Sequence, residues 1–176
     1  MSNPDRDLLL SLIRDIPDFP SPGILFKDIT PIVGDGQGFA TAIDQLIALA
    51  GEFDLVAGVE ARGFIFGAAI AAKTGKGFVP IRKSGKLPYK SFSESYALEY
   101  GTNTLQIHED AIAPGARVLL LDDVLATGGT LIAAAKLIER CGGVLGQTLV
   151  LLEIEGLNGQ LNFERALPGK KISKVI

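Results

Sequence analysis

Val118-Leu-Leu-Leu-Asp122-Asp123 constrains this 176-residue chain more than any other stretch: four aliphatics without polar alternation run straight into two carboxylates. A strand that is apolar on both sides is buried on both faces, which happens mainly in parallel sheets covered by helices. The pattern recurs along the chain. Asp54 to Glu60 and Gly77 to Arg82 read as further strands, and Val144 to Glu155 contains another. Helical spacing appears at Gly63 to Lys73 and Thr130 to Arg140, at Gly38 to Ala50 through Phe39, Ile43, Leu46 and Ile47, and at Asp5 to Ile16 through Leu8, Leu9, Leu12, Ile13 and Ile16. Strands alternating with helices predict an α/β fold with an open, mostly parallel sheet and flanking helices. Tyr96 to Tyr100 and Thr104 to His108, around Gly101, read as a hairpin inserted between parallel units. The polar stretch Lys83 to Ser95 has no evident buried face and is expected to be a long mobile loop. No repeat or linker divides the chain, so a single domain over 1–176 is expected.

Charge removes several function classes. The net charge is −3 and the pI about 5.2, without the basic footprint of a nucleic-acid or membrane-surface binder. A single cysteine, Cys141, excludes an internal disulfide and suits a reducing compartment. The start lacks the order of a signal peptide, and no apolar run reaches membrane-spanning length, so a cytoplasmic protein is expected. His108 reads as a surface residue of the hairpin and Cys141 as a structural residue at a helix end.

The chemistry concentrates after the two aspartates. Ala126-Thr127-Gly128-Gly129-Thr130 forms a short loop between a strand and a helix. Ligands of open parallel sheets sit beyond the carboxyl ends of strands. A glycine loop at a helix N-terminus presents backbone N–H groups to an anion, and the helix dipole favours negative charge there. Thr127 and Thr130 add hydroxyl donors. The aspartates would repel a bare phosphate, so the ligand should also carry hydroxyls or a metal ion. A ribose 5-phosphate satisfies both, with phosphate in the loop and the 2′- and 3′-hydroxyls on Asp122 and Asp123. The loop lacks the Gly-Lys-Ser/Thr ending of a nucleotide triphosphatase.

The stretch Val118 to Thr130 resembles the phosphoribosyl pyrophosphate (PRPP) signature of type I phosphoribosyltransferases. Glu60-Ala61-Arg62-Gly63-Phe64 resembles the pyrophosphate loop of the same family, in which Arg62 would pair with the leaving group and a cis peptide is expected near Glu60 to Arg62. Arg82-Lys83-Ser84-Gly85-Lys86-Leu87-Pro88 resembles the catalytic loop of adenine phosphoribosyltransferases, which implies that Lys83 and Lys86 reach pyrophosphate, partly across a dimer interface. Ser95 to Gly101 resembles the segment that meets the base. The resemblance gives Glu99 a catalytic role at the imidazole edge, as proton acceptor or as N7 partner, and puts Tyr100 beside the reacting centre. Phe19 to Pro31 resembles the hood over adenine: Phe26 stacks on the purine, main-chain groups of Leu25 and Lys27 read its Watson–Crick edge, and Ile154 supplies the other apolar face.

What the resemblance implies is a homodimeric, Mg²⁺-dependent purine-salvage enzyme. Adenine and PRPP are its substrates, AMP and pyrophosphate its products, and most of the metal's ligands come from the substrate. Residues 1–33 would form an N-terminal helix and hood, 34–155 the PRPP-binding core, and 156–176 a C-terminal segment whose pattern carries little information. The alternatives are transfer to another base, or PRPP sensing without turnover.

Overall fold

The computed structural model describes residues 3–19, 21–97 and 102–176. In chain order its elements are α1 (Pro4–Ser11), β1 (Arg14–Pro17), β2 (Leu25–Asp28), α2 (Thr30–Gly34), α3 (Gly36–Leu49), β3 (Leu55–Val59), α4 (Arg62–Thr74), β4 (Gly77–Lys83), β5 (Ser91–Ala97), β6 (Thr102–His108), β7 (Arg117–Leu125), α5 (Gly129–Arg140), β8 (Val144–Glu153), α6 (Gly159–Ala166) and β9 (Ile172–Lys174). β1 and β2 pair antiparallel as a separate two-stranded sheet. The other strands form a seven-stranded sheet in the order β5-β6-β4-β3-β7-β8-β9. β4, β3, β7, β8 and β9 are mutually parallel, and β5-β6 is an antiparallel hairpin joined to the edge of β4. The expected α/β architecture with an inserted hairpin is therefore present, but the hairpin's first strand is Ser91–Ala97 where Tyr96 to Tyr100 was expected, and 98–100 lie outside the described residues.

The unbroken aliphatic strands are explained by cover on both faces. Val118 and Leu120 pack with Ala134, Leu137 and Ile138 of α5 on one face. Leu119 and Leu121 pack with Leu46 of α3 and Phe66 and Ile70 of α4 on the other. β8 carries a bulge: Val118 faces Leu145, whereas Leu119 faces Gln147, so Gly146 is an extra residue. Beyond it Val150 returns to the α5 face, which Leu145 also occupies. Leu149 and Leu151 line the opposite face.

Three segments differ from the sequence expectation. The first helix ends at Ser11, not Ile16. Its start is well signalled, since Asn3 accepts from the N–H groups of Asp5 and Arg6, and Pro4 sits in the first turn. Pro17 then favours extended backbone at Ile16, which pairs with Phe26 in the small sheet. The apolar spacing of Ile13 and Ile16 thus mimics a helix that the chain leaves early.

The expected long loop is in part strand. β4 continues through Lys83 and β5 starts at Ser91, pairing with β6 from Ser91 to Ala97, so only 84–90 connects them. Phe92 and Tyr96 pack against the α5-side core, and the Arg140 guanidinium lies 4.9 Å from the Phe92 ring centroid. Serines alternate with these residues and hide the period-two pattern. Finally, the C-terminal stretch supplies α6 and edge strand β9. Among the described residues no helix is long and apolar enough to cross a membrane.

Candidate active site

β3 and β7 are adjacent and parallel, so their carboxyl ends deliver Glu60-Ala61-Arg62 and Asp122-Asp123 side by side. Gly63 permits the close approach: a Cβ there would lie 3.0 Å from both Asp122 Oδ1 and the Leu121 carbonyl oxygen. The Glu60–Ala61 peptide is cis. Above these strand ends is a cavity of about 520 Å³, lined by Phe26, Lys27, Arg62, Lys83, Asp122, Asp123, Ala126, Thr130 and Ile154 among others. A smaller one of about 60 Å³ lies within the loop itself, against Asp122, Ala126, Thr127, Gly128 and Thr130.

The loop geometry suits an anion. Gly128 has φ +87°, open to glycine at no steric cost, and it immediately precedes α5. No side chain caps this helix, so its first N–H groups remain directed at the loop.

The aspartates are electrostatically strained. Asp123 is only 4% exposed, and Asp122 accepts a hydrogen bond from the Asp123 N–H at 2.9 Å. Burial, reinforced by the charge of Asp123, pushes Asp122 well above the usual carboxylate range. Burial raises Asp123 as well, against the pull of Arg62. Arg62 Nε lies 2.8 Å from Asp123 Oδ2, yet that oxygen accepts no aligned hydrogen bond among the described residues. The Arg62 guanidinium also sits 5.5 Å from the Phe26 ring centroid. A pair this poorly compensated favours a ligand with hydroxyl donors or a hard cation.

Some expected site residues lie elsewhere. Leu25 is 48% exposed and lines neither cavity. Lys27 lines the larger cavity as expected, while its ammonium turns to Asp15, donating at 2.7 and 2.9 Å. Gly129 begins α5 and lines neither cavity, and Lys86 is likewise absent from both walls. Glu99 and Tyr100 fall outside the described residues.

Other residues enter without having been expected. Tyr96, Asn103 and Val124 line the larger cavity. Glu60 also lines it and takes a two-pronged contact from Arg82, with Nε and Nη2 each at 3.2 Å. The Lys83 N–H donates to Glu60 at 3.1 Å, and Arg82 Nη1 donates to the Lys86 carbonyl at 3.1 Å. These contacts join the Glu60–Arg62 turn to the Lys83–Lys86 turn, and the Arg82 hydrogen bonds hold Glu60 below the ordinary carboxylate range. The position of Glu60 at a strand end, two residues before Arg62, was its available signal. Asn103 offers none.

Known proteins are similar to this chain in sequence and in fold. The phosphoribosyl transferase domain family matches residues 27–153. An adenine phosphoribosyltransferase from Thermobifida fusca is 54% identical over 162 residues, covering 91% of this chain and 92% of that protein. The crystal structure of adenine phosphoribosyltransferase from Thermoanaerobacter pseudethanolicus superposes with TM-score 0.89 at 47% identity, covering 96% of this chain and 97% of that one. The Saccharomyces cerevisiae enzyme, crystallised with an imino-altritol bisphosphate and adenine, superposes with TM-score 0.90 at 34% identity, covering 98% and 99%.

Proposed function

This chain belongs to the adenine phosphoribosyltransferases, and on that footing we propose how its residues divide the work of purine salvage. The reaction transfers the 5-phosphoribosyl group of PRPP to N9 of adenine, giving AMP and pyrophosphate. The observation that carries the assignment is the convergence of Phe26, Arg62, Lys83, the Asp122–Asp123 pair and Thr130 on one cavity.

The N-terminus of α5 and the hydroxyls of Thr127 and Thr130 hold the 5-phosphate. Asp122 and Asp123 accept from the ribose hydroxyls, which relieves their mutual repulsion. With Asp123 so engaged, Arg62 is released toward pyrophosphate, joined by Lys83 and Lys86. Phe26 stacks on adenine, the main chain of Leu25 and Lys27 reads its polar edge, and Ile154 closes the other side. As the bond from the anomeric carbon to pyrophosphate oxygen breaks, N9 bonds to that carbon and gives up its proton, with Glu99 at the imidazole edge and Tyr100 nearby. The cationic side chains stabilise charge building on the leaving group, and the fixed phosphate and stacked base keep the two reactants in line.

Mg²⁺ bound with PRPP adds positive charge at the pyrophosphate. Among the described residues no three acidic, histidine or cysteine side chains converge on one point; substrate oxygens would hold most of the metal, and Asp122 and Asp123, on the wall of the same cavity, would supply any protein carboxylate. We further assign residues 1–33 to the hood, 34–155 to the PRPP-binding core and 156–176 to the C-terminal segment of a cytoplasmic homodimer.

The test is pyrophosphate release from PRPP with adenine, hypoxanthine, guanine, xanthine and orotate. A site that hydrogen-bonds one exocyclic group discriminates by about 10⁴ or more, so adenine should exceed the others by that factor in kcat/KM. Comparable values for adenine and hypoxanthine refute the choice of base. PRPP binding without release for any base refutes turnover.

A further inference from the structure

The loop that receives the phosphate does not stand alone. Its outer side rests on α6, in the part of the chain least informative as sequence. A Cβ built on Gly159 would lie 2.2 Å from the Ala126 carbonyl oxygen and 2.7 Å from Leu125 Cδ1. A Cβ on Gly128 would lie 2.8 Å from the Gly159 carbonyl oxygen. Backbone therefore packs on backbone at two successive points, and neither glycine can gain a side chain unless one element moves. One turn further along α6, Asn162 Nδ2 donates to the Thr127 carbonyl oxygen at 3.0 Å. Three consecutive loop residues, Ala126, Thr127 and Gly128, are thus each touched by α6.

Which element would yield is decided by anchoring. Phe163 of α6 is fully buried in the core with Leu125, Leu131 and Leu167. The loop has no side chain in the core between Leu125 and Leu131. A steric push at Gly159 therefore displaces the loop before it displaces the helix.

We propose that α6 is the seat of the phosphate loop, and that Gly159 and Asn162 are positioning residues for the 5-phosphate of PRPP. The proposal rests on the assignment of the 126–130 loop to that phosphate. Neither residue touches substrate. The Asn162 amide fixes the Thr127–Gly128 peptide from behind, so the next N–H groups face the ligand. The Gly128–Gly159 contact sets how far the loop stands from the end of β7.

The experiment is calorimetric titration of the full-length protein with ribose 5-phosphate and, separately, with adenine, alongside steady-state kinetics and thermal unfolding. Gly159→Ala should weaken ribose 5-phosphate binding at least tenfold and raise KM for PRPP by a similar factor. Asn162→Ala, which adds no bulk, should weaken both three- to tenfold, and Asn162→Gln should recover part of the loss. Adenine binding should stay within twofold in every variant. If Gly159→Ala does not fold, Asn162→Ala and Asn162→Gln decide alone. Ribose 5-phosphate binding within twofold of wild type in folded Asn162→Ala overturns the proposal, as does equal weakening of adenine. A wild-type protein that binds neither ribose 5-phosphate nor PRPP overturns the loop assignment itself, and this proposal with it.

Discussion

Asp122→Asn should make the protein more stable and a worse enzyme, and the stability gain should depend on pH in one direction only. Asp122 and Asp123 are adjacent, Asp123 is 4% exposed, and Arg62, the cation paired with Asp123, has a side chain 41% exposed. The pair carries more negative charge than its surroundings neutralise. Asparagine matches a protonated aspartate in shape: its carbonyl can still accept the Asp123 N–H now at 2.9 Å, and its amide can donate to the Asp123 carboxylate. Replacing poorly compensated buried charge with a neutral isostere stabilises by about 1–2 kcal/mol. At this chain length that is about 2–8 °C in melting temperature.

The sign follows from the raised pKa of Asp122. The folded state holds a proton that the unfolded chain releases from about pH 4 upward. Wild-type stability therefore falls as pH rises from there to the elevated folded value. The asparagine does not titrate, so the variant's advantage is absent below about pH 4, grows through that window and then levels off. Thermal unfolding without PRPP or metal, at a series of pH values from about 4.5 to 8.5, measures it. In kinetics, losing charge-assisted hydrogen bonds to ribose, worth about 1.5–3 kcal/mol, should raise KM for PRPP about 10–150-fold. A variant that melts below wild type at pH 8, or a difference that does not change with pH, refutes the reasoning.

Glu60→Gln should show the opposite pH trend. Arg82 depresses the Glu60 pKa, so the contribution is present at neutral pH and lost as pH falls through the folded value; the variant should melt lower by the equivalent of about 1 kcal/mol after discounting for solvent exposure, with the gap closing on acidification. The same variant should weaken product inhibition by pyrophosphate while leaving KM for adenine unchanged. Phe26→Ala removes base stacking worth about 1–3 kcal/mol, so KM for adenine should rise about 5–150-fold. Arg62 loses only its contact with the ring, about 0.5–1 kcal/mol, which limits the change in KM for PRPP to about fivefold. Glu99→Gln should lower single-turnover rate about 10²–10⁴-fold if the carboxylate accepts the N9 proton; a rate retained in Glu99→Gln but lost in Glu99→Leu would assign it to N7 instead.

What could be read from the sequence was local and contiguous. Val118 to Thr130 contains a whole strand, loop and helix start, so its fold and its ligand chemistry are written in one stretch. β5 was missed because its apolar residues, Phe92 and Tyr96, are outnumbered by hydroxyls, and it becomes a strand only through the ladder that β6 supplies. The end of α1 was missed because Ile13 and Ile16 keep helical spacing while serving other contacts. The Glu60–Arg82 contact joins residues 22 apart, and no periodicity signals it. Gly159 against Ala126 is harder still, since the contact involves a backbone oxygen and a glycine, and nothing in either residue's type advertises the other.

Along β8 the polypeptide counts its residues in twos, and Gly146 adds one to the count. Deleting that single codon would restore strict alternation and leave Gln147 onward on their present sides, because Leu145 already pairs with Val118 and Gln147 with Leu119. Removing Leu120 from β7, whose register with β3 has no extra residue, would instead turn Leu121 from the α3 and α4 side toward α5 and shift Asp122 and Asp123 against the wall of the cavity. A deletion of the same size in the 84–90 connection only shortens a surface turn, where changes in loop length cost little. Tolerance to insertions and deletions in this protein should therefore follow parity within the sheet, not distance from the substrates. Gly146 lies within a strand, yet in a library of one-residue deletions it should be among the positions retained, whereas loss of Leu120 should be purged early.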